Sequence, residues 1–279
     1  MDIQDLHQQL EELQQNDYLH LHTYNLKELT SAMMQHIGTA DTYTRERLIY
    51  PCFQYFIQQD FLDTVQLEIL LTSCLNSSYL NFEIFSPQTD GIFTRSYTLA
   101  LLTLIIQYDT KHSFLPENQL VDALEKIIQY FKLEQDYRVF VPDKGYTRHI
   151  LHGSSALHAL IQNPNILNIH YEKMIHCLLN TAFHTQDVYY NDEDEYIVTP
   201  LIAILQHEFP QIKFLSILTK KIQRLSQVKE RLTPSQFPVL YGNIKTFLRT
   251  LFFRTKKDMN LTNITHRIEK IINQLPQYF

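Results

Sequence analysis

Apolar residues recur along this chain with a helical period almost from end to end. Leu67, Leu70, Leu71 and Cys74 fall at i, i+3, i+4 and i+7, and Leu120, Leu124, Ile127 and Phe131 trace a second stripe of the same kind. The pattern predicts helices over roughly 2–15, 24–37, 43–58, 61–76, 92–108, 117–133, 145–162, 171–184, 197–208, 212–231, 236–254 and 261–274. Pro164, Pro200, Pro210 and Pro234 fall at the expected boundaries, where a missing N–H does no harm. Thr199-Pro200 and Thr233-Pro234 read as an N-cap followed by the first helical residue. Neighbouring helices start about 20 residues apart, so a helical pair recurs about every 40, the period of HEAT and armadillo repeats. The fold expected is all-α: a HEAT-like or armadillo-like α-α superhelix of stacked antiparallel helix pairs, right-handed, with one core running through a single domain over residues 1–279. One internal echo supports the repeat. An apolar helix, an aromatic connector, an acidic cap and a second helix occur in that order near 67–106 and again near 174–205.

Composition agrees with helices and excludes several classes. Five glycines are too few for the hairpins and bulges of a β-rich chain of 279 residues. Three cysteines without a CxxC spacing, Cys52, Cys74 and Cys177, give neither a disulfide framework nor a zinc knuckle. Residues 1–15 are polar and acidic, without the basic and apolar regions of a secretory signal, and no run reaches the ~18 apolar residues of a membrane span. A cytoplasmic protein with no membrane association is expected. The net charge of −6 conceals an asymmetry: residues 1–210 carry −16 and residues 211–279 carry +10. Basic C-terminal helices could meet an anionic partner or dock on unlike surfaces of the same chain, and the second reading needs no ligand.

Candidate chemistry concentrates in Asp136–Leu160, where two glycines and three histidines follow a charged turn. At about 100° per residue, with His149 at 0°, His152 falls near 300°, Arg148 near 260° and Ser155 near 240°, while Ile150, Leu157 and Ile161 fall between about 80° and 120°. His152 therefore shares the less apolar face with Arg148 and Ser155, and His158 points away from His149. Three-histidine metal ligation from this helix is poor geometry, HExxH is absent, and no metal or cofactor is expected. His152 and Arg148 could contact an anion in a small polar pocket, or His152 could bond a carbonyl of a neighbouring element. Asp136, Arg138, Asp143 and Lys144 form either a loop over that pocket or a solvated turn. Asp90 or Thr94 could cap the next helix. Arg95 opens it, and needs either a carboxylate such as Asp109 or one from another repeat, or else an anionic ligand. Glu193, Asp194 and Glu195 suit a helix start, or a carboxylate site. No phosphate-binding glycine loop or nucleophile elbow is present, and Phe247, Phe252 and Phe253 fit a packing stripe better than base-stacking platforms.

The segments Gly91-Ile-Phe-Thr-Arg-Ser96, Asp136-Tyr-Arg138, Gly145-Tyr-Thr-Arg-His-Ile-Leu-His-Gly153 and Glu193-Asp-Glu195, in that order, resemble a bacterial group known as domain-of-unknown-function family 2785. The resemblance implies an all-helical, repeat-like fold and no established reaction. Phe93, Arg95, Asp136, Arg138, Gly145, His152, Gly153, Glu193 and Glu195 match its pattern. Tyr146, Arg148, Ser155 and Tyr196 stand where the group has Trp, His, Asp and Arg. The function expected is a non-enzymatic interaction scaffold with a protein partner. The alternative is an enzyme or small-anion binder using Arg95, Arg138, Arg148, His152 and Glu193–Glu195. Nucleic-acid binding through residues 211–279 is a weaker third.

Overall fold

The helical period is realised. In the computed structural model, which describes residues 1–275, the chain is all-α apart from one two-residue strand pair. Residue contacts separate two compact units, residues 1–159 and the part from Leu160 onward.

The first unit holds α1 (Ile3–Gln15), α2 (Leu26–Gln35), a π-helical turn (Thr44–Ile49), α3 (Tyr50–Gln58), α4 (Thr64–Cys74), α5 (Gly91–His112), α6 (Glu117–Leu133), β1 (Phe140–Val141) and β2 (Gly145–Tyr146), and then the start of α7 (His149–Gln162). The Asp2 side chain caps α1 by accepting from the Gln4 and Asp5 N–H groups, and Asp63 and Gln66 form a reciprocal capping box at α4. α5 is buried around its whole circumference, which marks a central helix, and α3 and α4 pack against it. Both predicted stripes are buried: Leu67, Leu70, Leu71 and Cys74 on α4, and Leu120, Leu124, Ile127 and Phe131 on α6.

The second unit contains α8 (Tyr171–Ala182), α9 (Glu193–Gln206), α10 (Gln211–Gln223), α11 (Leu225–Lys229), α12 (Gln236–Thr255) and α13 (Thr262–Gln274). Here α9 is the central helix, with α8 and α12 packed on it. The echo seen in the sequence is thus present in the elements. α4 leads through an aromatic segment to α5, and α8 leads through Tyr189 and Tyr190 to α9.

Four predicted helices differ. The one expected from residue 145 starts at His149, because residues 140–146 form a hairpin instead. Val141 pairs with Gly145 across a turn in which Asp143 has φ 62° and Gly145 has φ +86°, and only glycine adopts the latter freely. The helix over 197–208 begins four residues earlier, at Glu193, and Pro200 lies inside it; burial of Ile197, Val198, Leu201 and Ile202 outweighs the lost hydrogen bond. Residues 212–231 form two helices, α10 and α11, and Phe214 and Leu218 are the buried positions of α10. The helix from residue 43 opens with the π turn. At α12 the N-cap position is Ser235, without a side-chain capping bond, and not Thr233, which meets the helix start from two residues earlier. Thr233 Oγ1 accepts from the Gln236 N–H at 3.3 Å while Gln236 Oε1 accepts from the Thr233 N–H at 3.1 Å.

Cys52, Cys74 and Cys177 are buried. Phe247 is core, but Phe253 is exposed and Phe252 half-buried, so the packing stripe expected of the three reduces to the first. Two cations of the basic C-terminal part pair with carboxylates of the acidic part inside the second unit: Lys213 with Glu172 and Arg254 with Glu195, each at 2.7 Å. Among the described residues, no helix is long and apolar enough to cross a membrane.

Candidate functional site

Four elements contribute first-unit residues to one cleft of about 370 Å³. The π turn and the head of α3 supply Glu46 and Tyr50, α5 supplies Tyr97, Ala100, Thr103 and Gln107, and α7 with its preceding residue supplies Arg148, Leu151, His152 and Ser155. The π turn sets the first wall. One such turn in a helix shifts the register of the residues after it, and it often marks a functional position.

His152 sits on the floor. Its Nδ1 lies 3.0 Å from both the Ser96 carbonyl and the Ser96 hydroxyl. A carbonyl can only accept, so Nδ1 is the protonated nitrogen and Nε2 carries the lone pair. Nε2 has no hydrogen-bond partner among the described residues. Burial, reinforced by the nearby cations Arg148 and Arg45, brings the His152 pKa down to about 3, so the ring is neutral. The ring meets Tyr97 edge-on at 5.0 Å between centroids and lies nearly parallel to Tyr50 at 6.2 Å. Burial raises the phenol pKa of both tyrosines, and Glu46 adds to the rise at Tyr97.

Arg148 precedes α7 with φ 55°, a left-handed conformation that costs a non-glycine residue on the order of 1 kcal/mol. Its carbonyl accepts from the His152 N–H at 2.9 Å and so starts the helix. Its guanidinium makes no hydrogen bond to a described residue. Its Nε is buried without a partner, Nη2 stands 3.6 Å from Glu46 Oε2, and the group lies over the Tyr146 ring. Behind the wall, Arg45 is wholly buried. It spends its terminal nitrogens on the carbonyls of Thr39, at 2.6 Å, and Lys144, at 2.7 Å, and lies 4.1 Å from the Phe93 ring centre.

The other predicted residues have structural partners. Arg95 donates from Nε and Nη2 to Glu134, at 2.8 and 2.9 Å, and from Nη1 to the Phe82 carbonyl at 2.8 Å. Its carboxylate is therefore Glu134 and not Asp109, which accepts instead from the Leu115 N–H. Arg138 grips Asp136 through Nε and Nη2, and Nη2 also reaches the Thr89 carbonyl. Burial alone would raise the Asp136 pKa, but the Arg138 hydrogen bonds outweigh it and hold that carboxyl below its ordinary value. Asp90 does not cap α5, since its carboxylate takes Lys144 Nζ at 2.6 Å, and the Thr89 hydroxyl accepts from the Gly91 N–H instead. His149 is buried behind the cleft beside Thr147 and Tyr137, and burial lowers its pKa.

In the second unit, Glu193 Oε2 accepts from the Tyr190 and Asn191 N–H groups at 3.1 and 2.8 Å, Asp194 accepts from the Thr250 hydroxyl, and Glu195 pairs with Arg254. A second cleft there, of about 460 Å³, is lined mostly by apolar side chains such as Ile222, Leu225 and Ile271.

The predicted face of Arg148, His152 and Ser155 thus lies on one cleft wall, while Arg95, Asp136 and Arg138 clamp the loops behind. Glu46, Tyr50 and Tyr97 complete the cleft without having been singled out. Among the described residues, no group of three or more His, Cys, Asp and Glu side chains is placed to hold a metal ion. A family model described as a protein of unknown function (DUF2785) matches residues 80–253, a span that contains α5 and α7 but not Glu46 or Tyr50. No curated protein and no solved structure matches the chain.

Proposed function

The chain belongs to the DUF2785 family of proteins of unknown function, and on that premise we propose that its first unit binds a small anionic ligand in the cleft between the π turn, α5 and α7. The observation that carries this reading is Arg148. A cation on a cleft wall, with no side-chain hydrogen bond to a described residue and a strained backbone, is a costly arrangement that an anionic occupant would repay. The helix pairs packed on α5 and on α9 support a HEAT-like α-α stack as the scaffold. The cleft, and not an open surface, is what moves the reading from an interaction scaffold to a ligand-binding protein.

Binding without turnover fits the chemistry of the Ser96–His152 pair. Ser96 is fully buried and lies on the Nδ1 side of the imidazole, so its hydroxyl cannot reach a molecule in the cleft, as a nucleophile must. A histidine with a pKa of about 3 is also a weak general base. Calorimetric titration with acetate, phosphate and a panel of small carboxylates tests the proposal. At least one should bind to wild-type protein, and Arg148→Met should weaken that binding by about tenfold or more. Equal binding by Arg148→Met would refute it.

A further inference from the structure

The cleft places three unlike demands on its occupant. Arg148 calls for an anion. Glu46 calls for a closer donor: its oxygens have one long hydrogen bond, from Arg45 Nη2 at 3.5 Å, and an ion-pair contact with Arg148 Nη2 at 3.6 Å. His152 Nε2, an acceptor because Nδ1 donates to the Ser96 carbonyl, calls for a second donor.

A simple carboxylate would answer Arg148 but bring a like charge against Glu46. A simple amine would answer Glu46 and His152 but face Arg148. A molecule with both charges a few ångströms apart answers all three. The aromatic walls agree, since the ring faces of Tyr50 and Tyr97 attract an ammonium group. So does the size: about 370 Å³ lies at the small end of ligand pockets, which run from ~300 to 1,000 Å³.

We propose that the ligand is a small zwitterion of the free amino-acid class, its carboxylate on Arg148 and its ammonium between Glu46 and His152 Nε2. This rests on the anion-binding reading above and narrows it. The Arg148–Glu46 contact then serves as a placeholder: each partner exchanges a long mutual contact for a closer one to the ligand. Ser155, Thr103 and Gln107 line the remainder of the cleft and offer hydrogen bonds to a polar side chain.

The test is a calorimetric titration of the full chain with each common L-amino acid, its N-acetyl derivative, which lacks the ammonium, and its amide, which lacks the carboxylate. At least one parent amino acid should bind about tenfold or more tighter than both of its derivatives. Glu46→Gln, which keeps the side-chain shape, should erase the preference over the N-acetyl form. The wild-type comparison stands by itself if that variant does not fold. N-acetyl derivatives binding as tightly as the parents would overturn the zwitterion and leave the anion reading standing. Failure of every amino acid alongside binding of acetate or phosphate would do the same. Failure of every probe would overturn both.

Discussion

Arg95 and Glu134 form a two-pronged pair with both side chains almost completely excluded from solvent, Nε to Oε2 at 2.8 Å and Nη2 to Oε1 at 2.9 Å. Glu134 Oε1 also accepts from the Gln135 and Asp136 N–H groups, so the pair ties the start of α5 to the strand-bearing segment that leads to the cleft. Removing one member strands the other charge. Glu134→Gln should therefore cost about 3–5 kcal/mol, measured by urea unfolding. The double variant Arg95→Met/Glu134→Leu should recover only part of this, because two backbone donors and the Phe82 carbonyl lose their partner. A single-variant loss below ~1 kcal/mol would show that the pair does not organise this segment.

Gly153 sets the approach of α7 to α6. A Cβ there would stand 2.5 Å from Phe131 Cζ, well inside contact distance. Alanine would gain ~1 kcal/mol of helix propensity but force the buried ring aside, and overpacking of this kind costs ~1–3 kcal/mol. Gly153→Ala should be destabilising, and adding Phe131→Leu should restore part of the loss. If Gly153→Ala raises the thermal midpoint, the helices have room that the geometry denies.

Much of this was legible in sequence because period and burial report the same physics. The stripes on α4 and α6 and the shared face of Arg148, His152 and Ser155 follow from spacing, while Arg95 in an apolar helix called for a counter-charge or an anion without pointing to Glu134. Glu46 and Tyr50 did not, because the π turn rotates them away from where a regular helix over 43–58 would put them. One signal was there to use. Arg45, Leu48, Ile49 and Cys52 fall at i, i+3, i+4 and i+7, which puts an arginine on an apolar stripe, and such a residue is either mispredicted or buried with partners. Pro200 misled for the opposite reason: tertiary burial overrode a local boundary rule.

Acid should weaken the fold before its carboxylates titrate. The folded-state pKa of His152 is about 3, against an ordinary 6.5, because burial disfavours the charged ring beside Arg148, His149 and Arg45. Below pH ~6.5 the unfolded chain takes up a proton that the folded chain refuses until pH ~3, so stability falls across that window and is unaffected above it. His149, also lowered, acts in the same direction. Asp136, held low by Arg138, adds its loss only below its ordinary 3.8. Glu193, whose carboxyl burial raises above its ordinary 4.5, acts in the opposite direction as pH falls, so comparing wild type with a His152 variant is what isolates the histidine. The loss from His152 is at most about 1.4 kcal/mol per pH unit, and His152→Asn, which keeps a donor for the Ser96 carbonyl, should shallow the decline in urea midpoint. Parallel curves for the two proteins would place the sensitivity elsewhere.

Arg148 should show a trade of stability against binding. Its φ of 55° strains a residue with a Cβ, and its buried Nε lacks a partner. Glycine adopts that backbone at no steric cost, and Arg148→Gly also removes the unsatisfied donor, although glycine loses more chain entropy on folding. The lost contacts are modest, a 3.6 Å ion pair with Glu46 and the stacking on Tyr146. The expected net effect is a gain of about 1 kcal/mol and a higher thermal midpoint, together with loss of ligand binding in calorimetry. Arg148→Lys keeps the charge and the strain, so it should gain no stability and retain weakened binding. A residue kept for folding alone would give the reverse, with Arg148→Gly clearly less stable than wild type.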